Sequence, residues 1–370
     1  MSFRLLVFLM MMAASQVYAG QVAFLGDSLS TGGAAHPYLQ YDKSHFRSVF
    51  EGKVKLSPDD DYFKFLNENG HGISEAAAPQ RLPRAKREFL HPVFWFTDNL
   101  WTSFSSQFLD AEEYSWAYLT ARKFGYDPKD ILIAARDGER MHHGVRQVDR
   151  LLDYTNGQVP EKVFIFFSGN DLCANTLDTV TTGDAYEDKL MDTLKYLRRN
   201  GQAAPGGTKV YLMNPVGVLQ VVTSASIQKK QVPYYGKTLT CREIQTKKPV
   251  PGAGVQMEED ADLVDLAVNF IASTPVGYCN TLFSIHDGDS QTQITLSNRL
   301  NQYRSALKSA AKKMNEFAGT DFVFYHLESS KDVLFEAEDI ANDCFHLSLQ
   351  GHYKIMDKVL GDIEEKAPSL

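Results

Sequence analysis

Five short apolar runs recur along the chain, and each ends at a glycine or a polar residue. In order they are residues 21–25, 131–135, 162–167, 209–213 and 321–325. Short runs rich in Val, Ile, Leu and Phe that stop at turn-forming residues are typical of strands buried on both faces. We therefore predict five buried strands.

Segments with helical periodicity separate these runs. They cover residues 112–124, 145–152, 184–199 and 296–317, and a last helix begins near Leu349. Strands that alternate with helices favour an α/β fold in which a parallel sheet is covered on both faces. Ligands bind such sheets beyond the carboxyl ends of the strands, so we expect functional residues at those ends.

Two long stretches interrupt the alternation, and we predict that they are insertions into one domain spanning residues 20–370. The first covers about 34–110 and holds a basic run at 81–87 and an aromatic cluster at 94–108. That cluster either packs within the insertion or forms a wall or lid for an acyl chain. The second covers about 216–290 and contains one acidic amphipathic helix near 258–272.

The first 19 residues have the order of a secretory signal peptide. Arg4 precedes an apolar stretch at 5–14, and Val17-Tyr18-Ala19 stands before Gly20. The apolar part is short for a membrane span, which needs about 18 residues, so we favour cleavage over an uncleaved anchor. We expect a periplasmic or secreted protein.

The net charge argues against one class of partner. The chain has 38 Lys and Arg against 46 Asp and Glu, a net charge of −8, which becomes −9 when Arg4 leaves with the signal peptide. A mildly acidic chain without a lysine-rich tail is a poor candidate for binding nucleic acid.

Polar residues that could perform acyl transfer stand near the ends of the predicted strands. Ser28 follows the first strand, Gly138 the second and Asn170 the third, whereas Asp343 and His346 precede the last helix. A serine hydroxyl needs a base, the base needs an orienting carboxylate, and the oxyanion needs donors. We interpret Ser28 as nucleophile, His346 as base and Asp343 as its orienting group.

Three donors could stabilise the oxyanion. They are the backbone N–H groups of Ser28 and Gly138 and the side-chain amide of Asn170; a glycine lets the backbone approach the substrate closely. Each residue also has a common structural explanation: Gly138 as a turn glycine, Asn170 as a helix cap, and His346 as a buried histidine. Their joint position at strand ends favours the catalytic interpretation.

The same residues resemble a known family. Gly26-Asp27-Ser28-Leu29, Gly138, Gly169-Asn170-Asp171 and Asp343-Cys344-Phe345-His346 are similar to the four blocks of the SGNH (GDSL) hydrolases. No Gly-x-Ser-x-Gly elbow is present, which weakens an α/β-hydrolase alternative. Two segments that contain cysteines, Asn170-Asp171-Leu172-Cys173 and Asp343-Cys344-Phe345-His346, look more narrowly like those of the phospholipase B branch.

The resemblance implies a fold and a reaction. The fold would be a three-layer α/β/α sandwich of flavodoxin-like type. Esters would be hydrolysed by Ser28, His346 and Asp343, with Ser28, Gly138 and Asn170 as the oxyanion hole. No metal or organic cofactor is implied.

Four cysteines, Cys173, Cys241, Cys279 and Cys344, favour disulfides in an exported chain. No two are spaced as zinc ligands. Three pairings are possible. We prefer Cys173–Cys344, which flanks the candidate chemistry; a Cys241–Cys279 bond would restrain the second insertion.

Three functions remain open. The leading one is an exported hydrolase of lipid acyl esters, a lysophospholipase or lipase-like esterase with transient membrane-surface contact and no obligate protein partner. The second is a carbohydrate O-deacetylase or acyl esterase whose aromatic residues stack on sugars. The third is a catalytically idle binding protein that retains the fold.

Overall fold

The computed structural model describes most of the predicted framework. It covers residues 21–33, 35, 80–82, 112–234, 237–246, 279–317, 319 and 321–366. The predicted signal peptide, most of the first predicted insertion with its aromatic cluster, and the helix predicted near 258–272 lie outside the described residues.

The main sheet is parallel throughout and contains all five predicted strands. The strands are β1 (Val22–Gly26), β2 (Gln80–Arg81), β3 (Ile131–Ile133), β4 (Lys162–Phe166), β5 (Thr208–Met213), β6 (Gln231–Tyr234), β7 (Lys237–Thr240) and β8 (Phe322–Leu327). The sheet order is β2-β3-β1-β4-β5-β8, and β6 and β7 form a separate antiparallel hairpin. The five predicted strands therefore have the order 2-1-3-4-5 of a flavodoxin-like sheet.

One strand of the main sheet was not predicted, β2, which pairs with β3 at one edge; the hairpin strands β6 and β7 were not predicted either. Strand β2 comes from within the first predicted insertion. A strand of two residues carries no readable hydrophobic period, because alternation needs about four residues to be recognised.

Helices cover both faces of the sheet. They are α1 (Ser28–Thr31), α2 (Trp116–Lys123), α3 (Gly144–Tyr154), α4 (Gly183–Asn200), α5 (Gln220–Thr223), α6 (Ala225–Lys229), α7 (Cys241–Thr246), α8 (Asn280–Phe283), α9 (Ser290–Phe317) and α10 (Leu349–Lys366). Helices α3, α4 and α9 contribute to the core on one face, and α2 and α10 to the core on the other. The three-layer α/β/α prediction is confirmed.

Strand β1 is fixed by packing from both layers. Ala23 and Leu25 belong to the core on one face, whereas Val22 and Phe24 belong to the core on the other. Trp116 of α2 meets the Phe24 ring edge-on at 5.4 Å. Each large apolar side chain buried in this way contributes about 1.5–3 kcal/mol, so the end of β1 is a rigid support for the residues that follow.

Local capping explains where the helices begin. The Ser115 side chain accepts a hydrogen bond from the N–H of Tyr118 at the start of α2, and Thr182 caps α4 in the same way. Helix α9 starts six residues before the predicted residue 296. Its first turns are mostly polar, so the apolar period of the sequence begins later than the helix itself.

Both predicted disulfide pairs are wrong. The bonds are Cys173–Cys279 and Cys241–Cys344. Thr281 donates from its N–H to the carbonyl of Ala174, which places Cys279 beside Cys173. Each bond therefore joins one candidate active-site block to the second predicted insertion, because that insertion, rather than the other block, packs against each cysteine.

No helix in the described ranges is both long and apolar enough to span a bilayer.

Candidate active site

The turn that carries Ser28 forms where β1 ends. Gly26 lies so close to the neighbouring strand that a Cβ would come within 2.1 Å of the Phe166 carbonyl oxygen, so only glycine fits. Asp27 then caps α1 by accepting from the N–H of Leu29 at 3.1 Å. Ser28 is the first residue of α1 and is 6% exposed.

Asp27 also connects this turn to the end of β4. Its second carboxylate oxygen accepts from the backbone N–H of Ser168 at 2.8 Å and from the Ser168 hydroxyl at 2.9 Å. Burial raises the pKa of Asp27 above its usual value, against these hydrogen bonds. Sequence reasoning missed this role, although an aspartate just before a helix is a recognisable capping signal.

Ser28, His346 and Asp343 form a continuous hydrogen-bonded chain. The Ser28 Oγ lies 3.0 Å from His346 Nε2, and His346 Nδ1 lies 2.5 Å from Asp343 Oδ2. The other Asp343 oxygen accepts from the backbone N–H groups of Phe345 and His346 at 3.0 and 2.9 Å. The predicted contact between residues 318 positions apart is therefore present.

The Asp343 carboxylate prepares the His346 imidazole to accept a proton. Burial disfavours the charged form of both groups. The neighbouring imidazole and its hydrogen bonds nevertheless hold the pKa of Asp343 below its usual value, and the Asp343 carboxylate raises the pKa of His346. The carboxylate thus makes His346 a stronger base and orients the ring through Nδ1, leaving Nε2 toward Ser28.

The predicted oxyanion donors lie on adjoining loops. Asn170 lines the cleft that also contains Ser28 and His346, and its Nδ2 donates to the carbonyl of Glu139 at 3.1 Å. Gly138, next to Glu139, has a φ of 70°, a left-handed conformation that favours glycine. Gly138 is not among the residues that line the cleft.

Asp171 secures these two loops to each other. It accepts from the N–H of Met141 at 2.9 Å and from the hydroxyl of Thr181 at 3.0 Å. Burial raises the pKa of Asp171 to about 6. The prediction singled out its neighbour Asn170 and gave Asp171 no role, because one sequence does not show which member of such a pair points into the cleft.

The cleft beside Ser28 is small and mostly apolar. Its volume is about 30 Å³, where a single water needs about 10–15 Å³. The apolar lining consists of Leu29, Val216, Val218, Val221, Phe335, Phe345 and Leu347. Within the described ranges, no group of three or more His, Cys, Asp or Glu side chains could hold a metal ion.

A serine, histidine and carboxylate joined in this order at the carboxyl edge of an α/β sheet are the parts of an ester-hydrolysing enzyme. The chain belongs to the GDSL-like lipase/acylhydrolase family, whose model matches residues 22–359. The predicted family is thereby confirmed; the narrower phospholipase B likeness stays a prediction.

Solved structures with a similar fold include two carbohydrate esterases. A family two carbohydrate esterase from Clostridium thermocellum, in complex with cellohexaose, shares 10% identity at a TM-score of 0.42, over 95% of this chain and 66% of that one. The Clostridium thermocellum family 3 carbohydrate esterase shares 12% identity at a TM-score of 0.37, over 94% of this chain and 96% of that one. No curated protein matches the sequence.

Proposed function

We propose that this protein is an exported serine hydrolase of carboxylic esters, with Ser28 as its nucleophile. The observation that carries the proposal is the Asp343–His346–Ser28 chain, with contacts of 2.5 and 3.0 Å. Both lie within the reach that proton transfer requires.

The first half-reaction acylates Ser28. His346 Nε2 accepts the hydroxyl proton while Ser28 Oγ bonds to the acyl carbon, and Asp343 stabilises the resulting imidazolium. The oxyanion accepts from the N–H of Ser28 and from the Asn170 amide, and the N–H of Gly138 is the third donor that the family resemblance implies. His346 then gives the proton to the leaving alcohol oxygen as its bond to the acyl carbon breaks.

The second half-reaction returns the enzyme to its starting state. Water attacks the acyl carbon, and His346 takes one of its protons. Collapse of the second tetrahedral intermediate breaks the bond to Ser28 Oγ, which regains a proton from His346. The products are a carboxylic acid and an alcohol.

For the substrate we propose lipid acyl esters, as in a lysophospholipase or lipase-like esterase. The apolar side chains beside Ser28, including Val216, Val221 and Phe335, suit an acyl group better than a polar one. The similarity of the Asn170 and His346 blocks to the phospholipase B branch supports the same substrate. Such an enzyme would contact a membrane surface transiently and needs no obligate protein partner.

A carbohydrate O-deacetylase is the second candidate, and the size of the cleft favours it. A volume of about 30 Å³ suits an acetyl group, since each further methylene of a longer chain would need its own space.

Export is supported by the two disulfides, because such bonds persist in oxidising compartments. Together with the pattern of residues 1–19, they support a periplasmic or secreted location. Cell fractionation tests this: recovery of the full-length chain in the cytoplasm with all four thiols free would contradict export.

An ester panel from acetyl to palmitoyl, assayed with wild type and with Ser28→Ala, tests the function. We expect turnover in wild type and a loss of several orders of magnitude in Ser28→Ala. Preference for long chains supports the lipid substrate, and hydrolysis confined to acetyl esters selects the deacetylase. Equal rates in the two proteins would contradict the role of Ser28.

A further inference from the structure

A buried ion pair lies next to the oxyanion donors and has no part in the reaction steps above. The Arg150 Nη2 lies 3.0 and 3.2 Å from the two carboxylate oxygens of Glu139. The Arg150 side chain is 2% exposed and that of Glu139 13%. Burying two charges costs solvation that their attraction only partly offsets, so stability alone is a weak reason for this pair.

The Glu139 carboxylate is connected to the strand that carries the nucleophile. It accepts a hydrogen bond from Gln147 Nε2. The fully buried Gln147 amide also pairs with both backbone groups of Gly26, accepting from its N–H and donating to its carbonyl, each at 2.7 Å. Gly26 stands two residues before Ser28, so Glu139 holds the amide that fixes the start of the nucleophile turn.

The backbone of Glu139 orients Asn170. Its carbonyl accepts from Asn170 Nδ2 at 3.1 Å. An amide nitrogen has two hydrogens, so one is held by Glu139 while the second remains for an oxyanion. If the amide turned over, its oxygen would face the Glu139 carbonyl oxygen, and two acceptors would repel each other. Glu139 therefore determines that Asn170 presents a donor to the cleft.

The third donor, the backbone N–H of Gly138, belongs to the residue next to Glu139 in the chain. Gly138 precedes Glu139 in a turn that the Glu139 N–H closes on the Arg136 carbonyl at 3.3 Å. A shift of the Glu139 side chain would move this turn as well as the Asn170 amide.

We propose that Glu139 is a positioning residue for the oxyanion hole: its carboxylate, carbonyl and place in the chain fix the donors of Ser28, Gly138 and Asn170 relative to one another. This inference rests on the proposed function. It adds that a single residue, Glu139, positions all three donors, and that Arg150 and Gln147 hold the Glu139 side chain in place.

Two double variants test whether the hydrogen-bond acceptor that the Glu139 side chain offers to Gln147 is needed for activity. Glu139→Met with Arg150→Met replaces the ion pair by apolar side chains, an exchange that folded proteins often tolerate, and removes the acceptor for Gln147. Glu139→Gln with Arg150→Met is the matched control, because it has the same charge and similar size but keeps that acceptor. Thermal unfolding verifies that both fold.

We expect the Met/Met variant to lower kcat about 10- to 100-fold with KM within about twofold, since donors displaced from the oxyanion act only in the transition state. The Gln/Met control should stay within about fivefold of wild type. In an Asn170→Ala background, the Met/Met pair should lower kcat by a smaller factor than in the wild-type background, because one of the three donors that Glu139 positions is already absent.

Equal activity of the Met/Met and Gln/Met proteins would overturn the inference, as would a loss that multiplies fully with that of Asn170→Ala. If the Met/Met variant does not fold, Gln147→Met provides the test: the same loss of kcat at constant KM supports the inference, and activity within twofold of wild type overturns it. The Ser28→Ala variant distinguishes failure of the positioning inference from failure of the proposed function. A large loss there with unaffected Glu139 variants overturns only the positioning role, whereas an active Ser28→Ala protein overturns the proposed function too.

Discussion

The two sides of the catalytic cleft are held by different means. On the side of Ser28 and Asn170, buried side chains connect neighbouring strand ends, as Asp27 does with Ser168 at 2.8 and 2.9 Å, and the Cys173–Cys279 bond lies three residues beyond Asn170. On the other side, the loop of residues 341–347, here called the histidine loop, is bonded covalently to α7 by Cys241–Cys344.

Helix α7 adds one polar contact to that bond. The buried Gln245 donates to the Cys344 carbonyl at 2.7 Å. Cys344 has a φ of 60°, a conformation that costs a non-glycine residue about 1–3 kcal/mol unless its surroundings impose it. The disulfide and Gln245 supply those surroundings between Asp343 and His346.

The difference follows from topology. Strands β1, β3 and β4 are neighbours at the centre of the sheet, so the sheet itself brings together the ends that carry Ser28, Gly138 and Asn170. Buried side chains such as Asp27 and Glu139 then fix these ends relative to one another. The histidine loop follows β8 at the sheet edge and must reach back to Ser28. A loop so placed needs an external anchor, and the second predicted insertion provides it.

The largest expected effect tests the histidine loop. His346→Ala should lower kcat/KM by on the order of 10⁴-fold or more, because Ser28 loses its base. Steady-state kinetics on the best ester of the panel measure it. His142→Ala, which removes an exposed histidine, is the control; similar losses in the two variants would contradict the assignment.

The next effect tests the opposite side of the cleft. Asn170→Ala should lower kcat by on the order of 10² to 10³ through the loss of one oxyanion donor, with KM nearly unchanged. Wild-type turnover in this variant would remove Asn170 from the site.

Removing each disulfide in turn tests whether the two sides of the cleft depend on their disulfides to different extents. The bonds close loops of similar length, with separations of 106 and 103 residues, so Cys173→Ala/Cys279→Ala and Cys241→Ala/Cys344→Ala should each cost about 2–5 kcal/mol of unfolding free energy. The two disulfide variants should differ in activity. In the folded protein, the first pair should change kcat by less than about threefold, and the second should lower it about tenfold.

Denaturant unfolding and kinetics at low temperature check both parts of that prediction. Equal losses of kcat in the two disulfide variants would contradict the view that only the histidine loop depends on a covalent anchor.

The smallest expected effect is a shift in pH dependence. Only neutral His346 accepts the Ser28 proton, so kcat/KM should fall as the pH drops through the pKa of His346, which Asp343 raises. Asp343→Asn removes that charge and should move the acidic limb of the profile to lower pH, besides reducing the rate. An unchanged midpoint would show that another group controls the limb.

The sequence predicted best what depends on local pattern. Buried strands leave apolar runs, and glycine or a polar residue ends each, so the pattern alone placed Ser28 and Asn170 at a common edge of the sheet. His346 required an additional inference, since nothing local indicates that a loop after the last strand reaches back to the first.

What the sequence did not reveal depends on packing between distant segments. The disulfide pairing is set by where the second insertion docks, which no spacing encodes. Glu139, Gln147 and Arg150 look like ordinary polar residues around a predicted helix. Only the hydrogen bonds of Gln147 to Gly26 and the contacts of Glu139 with Gln147 and Arg150 indicate a role. A sequence yields burial only through periodicity, which short turns lack.

The most direct test of the account is covalent labelling of the full chain with a fluorophosphonate probe, followed by mass spectrometry of the intact protein and its peptides. We predict a single adduct on the peptide that contains Ser28, absent from Ser28→Ala and formed far more slowly in His346→Ala. Failure of the folded wild-type protein to react, or an adduct that persists in Ser28→Ala, would contradict the account.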